Sequence, residues 1–127
     1  MKDLPAKFRH IRLELAREKG HPEGDREHGY DIVAPLTDDG HIDAETWREH
    51  RAACRVRRFR PDEDDAIGVL AHGPGGRWYI DYNSPEARGE EAGYRFQDER
   101  FVTGEYVSVR EDDGTLHTFQ VMAVQDI

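Results

Sequence analysis

The clearest pattern in the chain lies in residues 105–124, where apolar and polar residues alternate on both sides of an Asp-Asp-Gly sequence. Such alternation predicts an antiparallel β-hairpin with one buried face. A three-residue loop of residues 112–114 sets Val107 opposite Phe119 and Val109 opposite His117, whereas a two-residue loop would divide the apolar residues between two faces. We predict the three-residue loop, with Gly114 in the left-handed conformation. The buried face then consists of Val107, Val109, Phe119, Val121 and Ala123.

A second hairpin is predicted over residues 66–82, with its turn in the Gly-Pro-Gly-Gly sequence at 73–76. The pattern favours a register in which His72 is opposite Arg77. The pairs that follow are all apolar or aromatic. They are Ala71 with Trp78, Val69 with Ile80, and Ile67 with Tyr82.

Residues 6–19 allow two interpretations. In a strand, Ile11, Leu13 and Leu15 share one face, with charged residues opposite. In a helix, Phe8, Ile11 and Leu15 form one stripe, and Gly20 provides a stop. Strict alternation favours the strand, which we prefer, and intrinsic propensity favours the helix.

A helix is predicted over residues 43–53. Asp43 can cap its N-terminus, and Ile42 and Trp47 have the spacing of a hydrophobic staple. Short strands at 30–34, 55–60 and 94–96 complete the pattern. We predict a mainly β fold in one domain, residues 1–127. It is a small antiparallel barrel or strongly bent sheet of seven to eight strands, with the one α-helix across an opening. The alternative is an α+β fold with an additional N-terminal helix.

Composition limits the setting of this domain. The single Cys54 excludes an internal disulfide and indicates a reducing compartment. The chain has no apolar run of membrane-spanning length and no signal-peptide pattern at its start. We expect a cytoplasmic protein without membrane contact. The net charge of −9 opposes general binding to nucleic acid.

The arginines are concentrated in residues 48–60, which hold six arginines and one acidic residue. Guanidinium groups suit bidentate contacts to oxyanions, so Arg55 and Arg57 are candidates for binding phosphate, carboxylate or nucleic acid. The second interpretation is a solvated edge strand, balanced by the acidic block at residues 62–65.

Histidines and the cysteine suggest other chemistry. His21 and His28 lie among acidic residues in a predicted loop at 20–29, but their spacing matches no known zinc pattern, so we predict no metal and no cofactor. Cys54 beside Arg55 has the setting of an activated thiol, yet it falls on the same stripe as Trp47, and a buried cysteine at a helix end is the ordinary explanation.

Two resemblances follow from particular segments. Residues 101–109, followed by Asp113-Gly114 and residues 119–121, resemble the closing strands of small SH3-like β-barrels. Residues 29–36 and 72–78 are similar to segments of short bacterial proteins of unknown function. The resemblance to SH3-like barrels implies a barrel fold, and neither resemblance assigns a functional site.

No catalytic constellation can be assembled, so we predict a non-enzymatic binding or interaction module. Its partner would be a protein or a small molecule, and the chain a monomer or a homodimer that covers aromatics such as Tyr79. A further alternative is a small enzyme with its site near His72, Arg77 and Asp81. The candidate ligand-binding residues are Arg55, Arg57, His72, Arg77, Trp78 and Tyr82.

Overall fold

The structure of the chain is a computed structural model. It describes residues 7–73, 77–82, 91–94, 99–111 and 113–127, with residues 91–94 described by their backbone.

Among these residues, eight antiparallel strands form a closed barrel. Each strand pairs with the next in the chain, and the last pairs with the first. The predicted mainly β, antiparallel fold is therefore confirmed. The strands are β1 Phe8–Leu15, β2 Asp25–Pro35, β3 Arg55–Arg60, β4 Glu63–His72, β5 Trp78–Tyr82, β6 Glu91–Tyr94, β7 Tyr106–Arg110 and β8 Leu116–Asp126.

This up-and-down order gives the barrel two ends with different connections. One end, the helix end, holds the β2–β3 connection with its helix. The opposite end, the far end, holds the β1–β2 and β3–β4 connections and the described residues of the β7–β8 turn. Side chains on the inner faces of the strands other than β6 fill the space between the two ends, as in other small barrels.

The first strand settles the ambiguity of the N-terminal segment. Residues 8–15 pair with both β2 and β8, so the alternative of an N-terminal helix is wrong. Ile11, Leu13 and Leu15 are buried on one face, as the strand interpretation predicts. Pairing on both sides supplies backbone hydrogen bonds and burial that outweigh helix propensity.

The C-terminal hairpin has the predicted register, with Val107 opposite Phe119 and Val109 opposite His117. Gly114 has a φ of +78°, the left-handed conformation that the loop requires. One detail of the prediction is wrong. The pairing of β8 with β1 shifts register between Arg12 and Leu13, and Val124 rather than Ala123 packs against the core.

The register of the second hairpin is wrong by one residue. Leu70 lies opposite Ile80, and His72 lies opposite Trp78. Residues 68, 70 and 72 therefore share the inner face in place of Ile67, Val69 and Ala71, and Ile67 is 48% exposed. The tip of the turn, residues 74–76, lies outside the described residues.

Gly68 accounts for this shift. It lies opposite Tyr82 on the inner face, and a Cβ there would come within 2.5 Å of the Asp81 carbonyl oxygen and 3.0 Å of the Tyr82 ring. The ring occupies the space that a side chain would need. A glycine contributes nothing to a hydrophobic pattern, so alternation placed the wrong residues inward.

The predicted helix is present but shorter. It consists of α1 Ala44–Glu49 and a 3-10 turn at Arg51–Ala53, which are separated at His50. The Asp43 side chain accepts a hydrogen bond from the Thr46 N–H, which confirms the cap. Trp47 is buried at the helix end of the barrel, where its indole N–H donates to the Leu70 carbonyl at 2.8 Å.

Two strands differ from their predicted setting. β2 begins at Asp25 rather than Tyr30, so the charged half of the predicted 20–29 loop belongs to the sheet. β3 is not an edge strand, because it pairs with both β2 and β4. The arginines of β3 are therefore held on a paired strand.

Candidate functional site: an arginine groove beside a buried carboxylate

A groove of about 320 Å³ lies on the barrel surface where β1, β2 and β3 approach the far end. Four arginines contribute to its walls, together with one acidic residue. Its lining residues are Arg12, Arg26, Glu27, Arg57, Phe59, Arg60 and Pro61. Of the predicted arginine stripe at residues 48–60, the structure brings Arg57 and Arg60 into this groove.

One cross-strand row organises the groove. Arg12 of β1, Asp31 of β2 and Arg57 of β3 are direct neighbours in the sheet register. The Arg12 NH1 group donates to the Asp31 carboxylate at 3.2 Å, and the Arg57 Nε donates to the same carboxylate at 3.0 Å. Asp31 therefore fixes the positions of two guanidinium groups at once. These contacts also raise the pKa of Arg57.

Phe59 lies between these two arginines. The guanidinium carbon of Arg12 is 4.0 Å from the centre of its ring, and that of Arg57 is 5.3 Å away. The ring crosses Gly29, where a Cβ would come within 2.8 Å of it. The missing side chain on β2 thus allows an aromatic residue of β3 to reach an arginine of β1.

Arg60 connects the groove with the barrel interior. Its NH2 group lies 3.3 Å from Glu111, and its NH1 group lies 3.5 Å from Glu63. Arg26 stands exposed at the start of β2 on the other side of the groove. The groove therefore has one exposed arginine and three held by neighbours.

Behind Arg60 lies a buried carboxylate. The Glu111 side chain is 2% exposed. The Tyr30 hydroxyl donates to it at 2.6 Å, and His28 Nε2 lies 3.1 Å from both of its oxygens. Burial opposes ionisation, but the hydrogen bonds from His28 and Tyr30 and the charge of Arg60 outweigh it, so the pKa of Glu111 is lowered.

His117 completes this cluster. Its Nδ1 lies 3.1 Å from Glu18, and its Nε2 lies 3.1 Å from Asp113 and 3.6 Å from Glu111. Burial alone would lower the pKa of His117, but the surrounding carboxylates raise it. Burial would raise the pKa of Asp113, but a hydrogen bond from the Thr115 N–H and the contact with His117 lower it.

The sequence pattern did not predict this cluster. His28 and Glu111 are 83 residues apart, and no local motif joins them. A signal was nevertheless present in the alternation of each strand. His28 continues the inner face of Tyr30 and Ile32, and Glu111 continues that of Val107 and Val109. If the inward-facing positions of each strand are followed to its end, the polar residues found at those positions lie close together at that end of the barrel.

The remaining predicted ligand-binding residues lie elsewhere. Arg55 is exposed on the same face of β3 as Arg57, outside the groove lining. His72 stacks on Trp78 at the helix end, with ring centres 4.0 Å apart. The guanidinium carbon of Arg58 is 5.2 Å from the centre of the Tyr82 ring.

The residues of the predicted enzyme site do not converge. His72 lies on the inner face of β4, whereas Arg77 and Asp81 are exposed on or beside β5. In the described part of the chain, His72 Nε2 is buried without a hydrogen-bond partner.

The residues of the metal and thiol hypotheses are separated or shielded. His21 lies in the β1–β2 connection, whereas His28 lies inside the barrel against Glu111. No three His, Cys, Asp or Glu side chains among the described residues form a group able to hold a metal ion. Burial raises the pKa of the Cys54 thiol to about 12, so it is protonated at neutral pH.

Comparison with known protein families, curated proteins and solved structures finds no match for this chain. The resemblances to SH3-like barrels and to short bacterial proteins therefore stay predictions. Among the described residues, no helix is both long and apolar enough to span a membrane.

Proposed function

We propose that the protein is a non-enzymatic binding module that holds a small anion, a phosphate or carboxylate group, in the arginine groove. One observation carries the proposal: arginines from three neighbouring strands line a single groove beside an aromatic ring. Guanidinium groups in fixed positions suit oxyanions because two parallel N–H groups match two oxygens.

The ion pairs within the groove leave donors for a ligand. Each guanidinium has five N–H groups. Arg12 uses some of them on Asp31 and Glu14, and Arg57 uses some on Asp31 and Asp65, so each keeps N–H groups for a ligand. Among the described residues, Arg26 has no carboxylate partner. The lining residues carry more positive than negative charge, in contrast to the net charge of −9 for the chain. Because neighbouring carboxylates offset the charges of the other three arginines, Arg26 is the main positive charge that a small anion meets there.

The size of the groove favours a small ligand over a nucleic acid. Its volume of about 320 Å³ is at the lower end of ligand sites. A polyanion would extend beyond it and meet the acidic remainder of the surface, which opposes binding.

A binding role fits the chemistry of the groove better than a catalytic one. Arginine does not deprotonate in proteins and so supplies charge without acting as a base. The Cys54 thiol is buried and protonated, so it provides no nucleophile. A cytoplasmic location accords with this reduced, buried cysteine and is part of the same proposal.

Titration with inorganic phosphate and with malonate, followed by NMR or calorimetry, tests the proposal. We expect saturable binding that weakens with salt. Replacing Arg26 or Arg57 with Ala should weaken binding by roughly tenfold, since each removes a charge-assisted contact. Arg55→Ala is the matched control, because Arg55 shares the strand and face of Arg57 but lies outside the groove.

Two results would overturn anion binding in this groove. One is the absence of saturable binding by the unmodified protein, and the other is an equal loss of affinity in Arg55→Ala and Arg57→Ala. Sub-micromolar, salt-sensitive binding to an oligonucleotide would favour the nucleic-acid alternative instead.

A further inference from the structure

Both ring nitrogens of His117 face carboxylates. Nδ1 lies 3.1 and 3.2 Å from the two oxygens of Glu18, and Nε2 lies 3.1 Å from Asp113. A carboxylate only accepts hydrogen bonds, and a neutral imidazole has a single N–H to donate. Both ring nitrogens can donate a hydrogen bond to their carboxylates only when His117 carries two ring protons and a positive charge.

The charged groups around His117 come from every neighbouring element at the far end. Glu18 belongs to the β1–β2 connection, Asp113 to the β7–β8 turn, and Glu111 follows β7. The His28 ring of β2 is 6.2 Å away, and Arg60 of β3 contacts Glu111. The three carboxylates stabilise the imidazolium, whereas the positive charge of Arg60 opposes it.

Few hydrogen bonds and ion pairs attach residues 16–24, the β1–β2 loop, to the rest of the barrel. The Ala16 N–H donates to the Thr118 carbonyl at 3.0 Å. Further along, Glu18 and His21 exchange two backbone hydrogen bonds within the loop itself. The Glu18 side chain is the group that ties this inner turn to His117 on β8.

We propose that His117 is a proton-operated latch that holds the β1–β2 loop on the far end of the barrel and releases it when the proton is lost. On deprotonation, one nitrogen must present a lone pair to a carboxylate. Nε2 faces two carboxylates, Asp113 and Glu111, and Nδ1 faces Glu18 alone. The remaining proton therefore stays on Nε2, and Glu18 separates from Nδ1.

The sign of the pH effect follows from the same contacts. The pKa of His117 is raised in the folded protein, so the latch is closed below the ordinary histidine range and opens as the pH rises through the higher folded value. The latch acts without any ligand in the arginine groove, and its test needs none.

Amide hydrogen exchange of the full chain, corrected for intrinsic rates, tests this inference between pH 6 and 8.5. The reporters are the amides of Glu18, His21 and Gly24, which donate hydrogen bonds within the loop. Their protection should fall by roughly tenfold or more over this range. The amides of Thr37 and Gly40, bonded in a turn at the helix end, should keep theirs.

Variants separate the latch from other causes. His117→Ala and Glu18→Ala should each show low loop protection already at pH 6, with no further change at higher pH, because alanine can neither donate to nor accept from the other side chain. Glu23→Ala, in the same loop, should behave as the unmodified protein. Should His117→Ala fail to fold, Glu18→Ala alone decides the outcome.

Three results would overturn the latch. They are unchanged loop protection between pH 6 and 8.5, a pH dependence that persists in Glu18→Ala, and an equal loss at the helix-end amides, which would indicate general destabilisation rather than release of the loop.

Discussion

Glu111 joins residues of several strands at the far end of the barrel. Its carboxylate contacts Tyr30 and His28 of β2 and Arg60 of β3. A buried carboxylate with these partners is stable in its charged form because hydrogen bonds replace the water it has lost. Protonation of Glu111 would weaken these hydrogen bonds and the ion pair with Arg60. The stability of the far end therefore depends on pH through Glu111.

Replacing Glu111 with Gln should lower stability at neutral pH by about 1.5–3 kcal/mol, the range for hydrogen bonds to a charged group. The lowered pKa of Glu111 also fixes a sign: its contribution is present above the ordinary carboxyl range and is lost as the pH falls through the lower folded value. Urea unfolding between pH 3 and 7 should therefore show a shallower acid loss in the variant.

Glu105→Gln provides the control, since Glu105 is exposed and precedes the same strand. Acid profiles of Glu111→Gln and the unmodified protein that coincide would show that this carboxylate does not link folding to pH.

At the scale of elements, the C-terminal hairpin supplies a large part of the core. Phe119 is fully buried and packs edge-on against Tyr30, with ring centres 5.2 Å apart. Phe119→Ala should cost about 3–5 kcal/mol, a large share of the total stability of a domain of this size. Met122→Ala, on the exposed face of the same strand, should change stability by less than about 0.5 kcal/mol. Equal unfolding midpoints for the two variants would mean that the ring is not in the core.

The two hairpins show what alternation can and cannot predict. In the C-terminal hairpin both strands carry bulky residues at each inner position, so only one register keeps Val107, Val109 and Phe119 together. In the second hairpin an inner position belongs to Gly68, which has no side chain to mark its face. The structure there depends on the contact between the Tyr82 ring and the backbone, which a sequence pattern does not show.

At the scale of the whole molecule, strand pairing and barrel closure determined what could be predicted of the site. Arg57 and Arg60 were identifiable because they lie in an arginine-rich run, and both line the groove. Arg12 and Arg26 were not identifiable, since they reach the groove only through the pairing of β1 with β2 and of β2 with β3. The cluster at Glu111 depends on closure of the barrel, which brings β2 and β7 together at one end.

Closure also bears on self-association. The predicted edge strand at residues 55–60 is paired on both sides, and among the described strands each has two paired neighbours. Strand addition is therefore not a route to a dimer, and we expect a monomer. Light scattering over a hundredfold range of concentration should give a constant mass of 14.7 kDa. A mass that doubles with concentration would instead indicate association through exposed side chains such as Tyr106 and Met122.

The pairing of β1 with β8 has a consequence for how the chain folds. Every other pair joins strands that follow one another, so hairpins form locally and quickly. The contacts of Ile11 with Val124 and of Leu15 with Phe119 span more than a hundred residues. During synthesis, one side of β1 therefore has no partner until β8 has left the ribosome, and the nascent chain carries an open strand while β2 to β8 are being made.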